Sequence, residues 1–174
     1  PPAPAYTFVC LDKVGYVAAS ASDINDAGVV VGLVDKDQGG GAHQYFPACW
    51  TRDGAQWVLH TLDPINTSLS SGASGVNEVG QIVGGGYDSA GKGRACYWPN
   101  WSASPVVLPS FDEGDDTTHA EAINSDGVIC GAANRAIPRV DEFGNAVLDE
   151  SGNPIYDCVN RALVWRLSAT GVLG

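Results

Sequence analysis

Asp23-Ile24-Asn25-Asp26-Ala27-Gly28-Val29-Val30-Val31-Gly32 is a phrase the chain repeats twice more. It returns as Gly75-Val76-Asn77-Glu78-Val79-Gly80-Gln81-Ile82-Val83-Gly84 and as Ala122-Ile123-Asn124-Ser125-Asp126-Gly127-Val128-Ile129-Cys130-Gly131. Each copy reads β-branched residue, Asn, two residues, Gly, three residues, Gly, and successive copies lie 52 and 47 residues apart. A period of that size signals stacked or radially arranged supersecondary units. Asn-x-x-Gly between apolar residues fits a three-residue hairpin loop, a type I turn followed by a left-handed residue. The Asn side chain can bond to backbone further along the turn, and Gly28, Gly80 and Gly127 supply the positive φ. The second glycines, Gly32, Gly84 and Gly131, fall in strands, where glycine marks a bulge or close backbone approach. Tight packing of neighbouring sheets is the reason expected for them.

Outward from the turn the units continue to match. Ala21, Ala73 and Ala120 each precede the Asn by four. Further upstream lie Leu11-Asp12, Leu62-Asp63 and Phe111-Asp112, and downstream lie Trp50, Trp98 and Trp165. Short β-branched runs bounded by Gly, Asp or Pro read as strands, and no long window has a helical period. The chain is therefore expected to be all-β, one domain over 1–174, with about four antiparallel strands in each of three units near 6–50, 56–98 and 105–165. The segment Asp141 to Asp157, with two similar Gly-Asn turns around Ala146-Val147-Leu148, is expected to protrude as an extra hairpin and to make an intermolecular contact.

The 174 residues carry a formal net charge of −11, from 20 acids against 9 bases. Nucleic acid and anionic membrane surfaces need clustered Lys and Arg, so neither is an expected partner. No apolar run approaches the roughly 20 residues of a membrane span. Pro1-Pro2-Ala3-Pro4-Ala5 reads as an extended leader left by processing or a cut. The five cysteines, Cys10, Cys49, Cys96, Cys130 and Cys158, have no CxxC spacing, so zinc is not expected. Cys49 and Cys96 are offset by one position relative to their tryptophans, which directs them to opposite sheet faces. Cys130 and Cys158 lie on the two arms of the third unit's long hairpin, where a cross-strand disulfide is one reading and buried small hydrophobes the other.

The run Ala-x-x-Ile/Val-Asn-x-x-Gly-x-Ile/Val-x-Gly followed by Arg94-Ala95-Cys96-Tyr97-Trp98 or Arg161-Ala162-Leu163-Val164-Trp165 resembles the bacterial extracellular HAF repeat. The first unit departs from it, with Phe46-Pro47-Ala48-Cys49-Trp50 carrying Pro in place of Ala. The resemblance implies an exported, repetitive, propeller-like protein and transfers no catalytic residue. Four strands in roughly 50 residues is the size of a propeller blade, and propellers close with about 4–8 blades. Three units leave closure open. The chain could be part of a longer propeller, could pair with copies of itself through exposed edges, or could close threefold as a β-trefoil or β-prism.

Candidate chemistry is sparse. His43, His60 and His119 neighbour no nucleophile motif, and neither GxSxG nor HExxH occurs. His60 reads as a strand histidine; His43 and His119 as loop or strand-start residues. Two acidic clusters, Asp35-Lys36-Asp37-Gln38-Gly39 and Asp112-Glu113-Gly114-Asp115-Asp116, read as loops whose oxygens could bind calcium, though solvated loops are the simpler reading. The recurring Asp12, Asp63 and Asp112 suggest a structural task. Trp50, Trp98 and Trp165 are expected in the core; Trp57 and Trp101 stand outside the register and are the surface candidates for a sugar platform. Asn66-Thr67-Ser68 and Asn100-Trp101-Ser102 match the glycosylation triplet, which matters in a eukaryotic secretory host. The functional expectation is a secreted, non-enzymatic β-repeat protein, without cofactor, that acts by binding or self-assembly with itself or another extracellular protein. A carbohydrate-binding module or secreted carbohydrate-active enzyme is the alternative.

Overall fold

The computed structural model describes residues 6–111 and 117–168. Among them there is no helix, and the strands form three antiparallel sheets, none closed into a barrel. The first sheet is β1 (Ala18–Ile24), β2 (Val30–Gly39), β3 (Ala42–Asp53) and β4 (Gln56–Thr61), each strand paired with the next. The second is β5 (Ser71–Val76), β6 (Ile82–Tyr87), β7 (Gly93–Trp98) and the two-residue β8 (Val106–Val107). The third is β9 (Thr117–Ile123), β10 (Val128–Pro138) and β11 (Tyr156–Arg166). The strand at 56–61, which the sequence places at the start of the second unit, pairs with β3 and closes the first sheet instead.

The repeated phrase is the hairpin turn joining the first two strands of every sheet. Gly28 N, Gly80 N and Gly127 N donate to the carbonyls of Asn25, Asn77 and Asn124. The same asparagines accept, through Oδ1, from Val29 N, Gln81 N and Val128 N at 2.8–2.9 Å. The three glycines sit at φ 78°, 81° and 73°.

Each first strand carries a bulge three residues before the turn asparagine, where Ser22, Ser74 and Glu121 are left without a partner opposite. The bulge explains the second glycine. A Cβ on Gly32, Gly84 or Gly131 would lie 2.0–2.1 Å from the carbonyl oxygen of Ser20, Gly72 or His119 on the adjacent strand. The crowding is thus within a sheet, at its own bulge, rather than between neighbouring sheets.

The tryptophans are core residues, buried in all three units. Each indole also has a fixed acceptor. Trp50 Nε1 donates to Asp12 O at 2.7 Å, Trp98 Nε1 to Asp63 O at 2.8 Å, and Trp165 Nε1 to Pro109 O at 2.8 Å. This corrects the alignment of the third unit: Leu108-Pro109, not Phe111-Asp112, is the counterpart of Leu11-Asp12 and Leu62-Asp63. Proline serves as well as aspartate because the main-chain carbonyl, not the carboxylate, does the task. Asp112 itself lies outside the described residues.

The sheets pack face to face in chain order. β5 packs on β1, β2 and β3, and β9 packs on β5, β6 and β7. The first junction buries Val31 and Cys49 of the first sheet against Ala73, Val76, Ile82, Cys96 and Trp98 of the second. The second junction buries Val83 and Tyr97 against Ala120, Ile123, Ile129, Leu163 and Trp165. At the free face of the first sheet, Leu11 and Tyr16 of the leading segment pack on Val30, Ala48 and Trp50. Cys49 and Cys96 do point to opposite faces of their own sheets, and for that reason meet in one layer. Burial pushes both thiols up to about 12, so they behave as small hydrophobes.

The disulfide reading fails on register. Cys130 lies opposite Val164 and Cys158 opposite Ala136, six residues along the strand, a separation of about 20 Å that no disulfide spans. Both thiols are free and exposed. The insert is more than a hairpin. Val147 N donates to Arg139 O, Ile155 N to Val147 O, and Arg139 N to Ile155 O, so three short segments close a triangular cap at the tip of β10 and β11. Its two turns, Asp141 to Asn145 and Asp149 to Asn153, copy the repeat turn with Asp in place of Asn, and Gly144 and Gly152 sit at φ 84° and 83°.

Candidate functional site

The repeat asparagines reach beyond their own turns. Asn25 Nδ2 donates to Asn77 O at 2.9 Å, and Asn77 Nδ2 donates to Asn124 O at 3.0 Å. Asn25 and Asn77 therefore each hold their own hairpin with the side-chain oxygen and the next sheet with the nitrogen. A second link accompanies the first junction: Asp26 N donates to the Glu78 carboxylate at 3.0 Å. The ladder has two open ends. Asn25 O accepts from Gly28 N alone among the described residues, and Asn124 Nδ2 has no acceptor among them.

The apolar positions show the same two ends. Val76 and Ile123 are 5% and 8% exposed at the internal junctions, whereas their counterpart Ile24 is 60% exposed. Cys49 and Tyr97 are 0% and 7% exposed, whereas their counterpart Val164 is 65% exposed. Ala21 is exposed where Ala73 and Ala120 are buried, and Cys130 is exposed where Val31 and Val83 are buried. One end of the molecule carries the receiving half of a junction, the other the donating half.

A groove of about 510 Å³ crosses all three sheets on a different surface. Tyr45 and Tyr87 rim it, and Ser71, Ser74, His119 and Asn134 line it. Glycine makes room for it: a Cβ on Gly85 would lie 2.4 Å from His119 Nδ1, and one on Gly86 2.3 Å from Ser71 Oγ. Ser71 Oγ is buried without a hydrogen-bond partner among the described residues. Ser74 Oγ lies 3.2 Å from His119 Nε2, and Glu121 Oε1 lies 3.7 Å from that same nitrogen. A relay triad puts the hydroxyl and the carboxylate on opposite imidazole nitrogens, so these three residues do not form one.

The other candidates are distributed rather than convergent. His60 is in β4, with Nε2 2.9 Å from Thr51 Oγ1 and its ring stacked on Trp101 at 3.9 Å between centroids; burial lowers its pKa. Trp101 is therefore covered on one face, and Trp57 packs partly into the first core with the Arg52 guanidinium 5.1 Å from its ring. Neither lines the groove. Asp35 to Gly39 is the second half of β2, not a loop: Asp35 is buried against His43 at 2.9 Å and Asp37 accepts from Gly39 N. The cluster 112–116 lies outside the described residues. Among the described residues no three His, Cys, Asp or Glu side chains gather to hold a metal ion, and no helix is long and apolar enough to cross a membrane. Asn66 and Asn100 of the glycosylation triplets each cap a turn with their own Oδ1.

Sequence reasoning missed the groove. Its traces were the Ser70-Ser71-Gly72-Ala73-Ser74 run and the triple Gly84-Gly85-Gly86, small residues where strands need bulk. No family model, curated protein or solved structure matches the chain.

Proposed function

We propose that this is an extracellular, non-enzymatic β-repeat protein that acts by self-association or by binding another extracellular protein, its three sheets being blades of the propeller type. The reading rests on one observation: positions buried at both internal junctions are exposed at the two ends. Exposed apolar patches of this kind mark interaction surfaces, and here the missing partner has the shape of another unit. The resemblance of Arg94 to Trp98 and Arg161 to Trp165 to the HAF repeat supports export. Multi-angle light scattering from about 1 to 100 μM tests self-association. A mass above that of the 18.0 kDa chain supports it; a monomer throughout removes it.

The groove favours a second reading, a carbohydrate-binding module. Hydroxyl, amide and tyrosine side chains without a net charge suit a neutral polyhydroxylated ligand. Titrating neutral oligosaccharides against the protein, with Tyr87→Ala as control, distinguishes it. Binding that survives Y87A unchanged would place the ligand elsewhere.

A further inference from the structure

We infer that two copies of this chain close head to tail into a six-unit ring, the third sheet of each copy seated on the first sheet of the other. The inference rests on the self-association reading and adds to it the faces and the stoichiometry.

The internal junctions state what covers an open face. Twice within the chain, a front made of the second and third strands receives a back that includes the first strand and the tryptophan. Val31 and Cys49 receive Ala73, Val76 and Trp98; Val83 and Tyr97 receive Ala120, Ile123 and Trp165. The front left open is that of Cys130 and Val164, and the back left open is that of Ala21 and Ile24. A second copy presents the complement of both at once. Two polar links can continue, whereas the bond from Val76 N to the Asp23 carboxylate has no counterpart, because Ala122 stands in the place of Asp23, as Gly75 does at the second junction. Asn124 Nδ2 would donate to Asn25 O of the second copy, continuing the ladder made by Asn25 and Asn77. Ser125 N, in the place of Asp26 N, would find the Asp26 carboxylate where Asp26 N finds Glu78. Leu11 and Tyr16 already cover Trp50, so the back of the first sheet is partly prepared, as Leu62 and Ile65 prepare that of the second.

A head-to-tail contact either closes or grows without limit. Two copies supply six units, inside the range of about 4–8 at which blades close, and closure satisfies both open ends of both copies.

The test combines mass, mutation and thiol accessibility. The expected species has twice the 18.0 kDa chain mass. Ile24→Asp and Val164→Asp each alter an exposed side chain, so both should fold, and each is expected to weaken the dimer at least about tenfold. Mixing the two variants should recover part of the association, because one of the two junctions then joins unaltered faces. Alkylation of Cys130 should slow as the protein is concentrated through the dimer range, while Cys10 and Cys158, also exposed, remain reactive. A monomer at every concentration overturns the self-association reading itself. A dimer indifferent to both substitutions overturns only these faces. Sensitivity to Val164→Asp alone means third sheet against third sheet, and mass that keeps growing with concentration means an open series; either result overturns the ring.

Discussion

Asn77 carries more of the fold than its place in an exposed turn suggests. Its Oδ1 accepts from Gln81 N, and its Nδ2 donates to Asn124 O and to Gln81 Oε1. It is buried, whereas Asn124 is exposed. Asn77→Ala strands several buried polar atoms and is expected to cost about 2–4 kcal/mol in urea unfolding; Asn124→Ala in the same assay, at a concentration where the chain is monomeric, should cost about 1 kcal/mol. The two glycines of the phrase are likewise unequal. Gly80→Ala meets no atom within 4 Å and strains only φ, a cost of about 1–2 kcal/mol. Gly84→Ala drives a methyl to 2.1 Å from Gly72 O, so the bulge must open, and about 3 kcal/mol or failure to fold is expected.

At the scale of elements, β4 and the Leu62-Asp63 pair that follows it act as a strap. It hydrogen-bonds into the first sheet through β3, yet its leucine and a carbonyl serve the Trp98 of the second. Trp98→Phe keeps most of the ring but leaves Asp63 O without its donor, and a loss of about 1–3 kcal/mol in thermal or urea melts is expected. The insert's turns predict a pH response. Backbone N–H donation from Asn145 to Asp141, and from Asn153 to Asp149, holds both carboxyls below the usual 3.8. A depressed carboxylate stabilises its turn above the unfolded pKa, and that contribution fades as pH falls through the lower folded value. Amide protection in residues 139–155, taken relative to the intrinsic exchange rate at each pH, should therefore fall below about pH 4 while the three sheets stay protected. Loss of protection across the whole chain at the same pH would show that the cap is not an independent unit.

The whole molecule carries a net charge of −11, and like-charged copies repel. The proposed association through apolar faces such as Ile24 and Val164 should tighten as salt rises from about 0.01 to 0.15 M, because the Debye length shrinks from about 30 to 8 Å. Sedimentation equilibrium at two salt concentrations measures this; weakening with salt would point to ion pairs at the interface instead.

The sequence alone determined the strand-turn-strand unit, its number and the core role of the tryptophans, because these follow from local chemistry: a glycine's φ, an Asx turn, an apolar alternation. Other features depended on which backbone comes near which. That Leu108-Pro109, not Phe111-Asp112, completes the third unit was hidden because a carbonyl carries no side-chain signature. That Cys130 and Cys158 sit six residues apart depended on register, which the insert's length disguised. That Ser74 meets His119, 45 residues away, required the bulge geometry and the packing of the second sheet on the third. Only the tertiary structure separated Ile24 from Val76 and Ile123, residues alike in sequence. Burial belongs to the neighbour, and at either end of a three-unit series the neighbour is not in the chain's described residues.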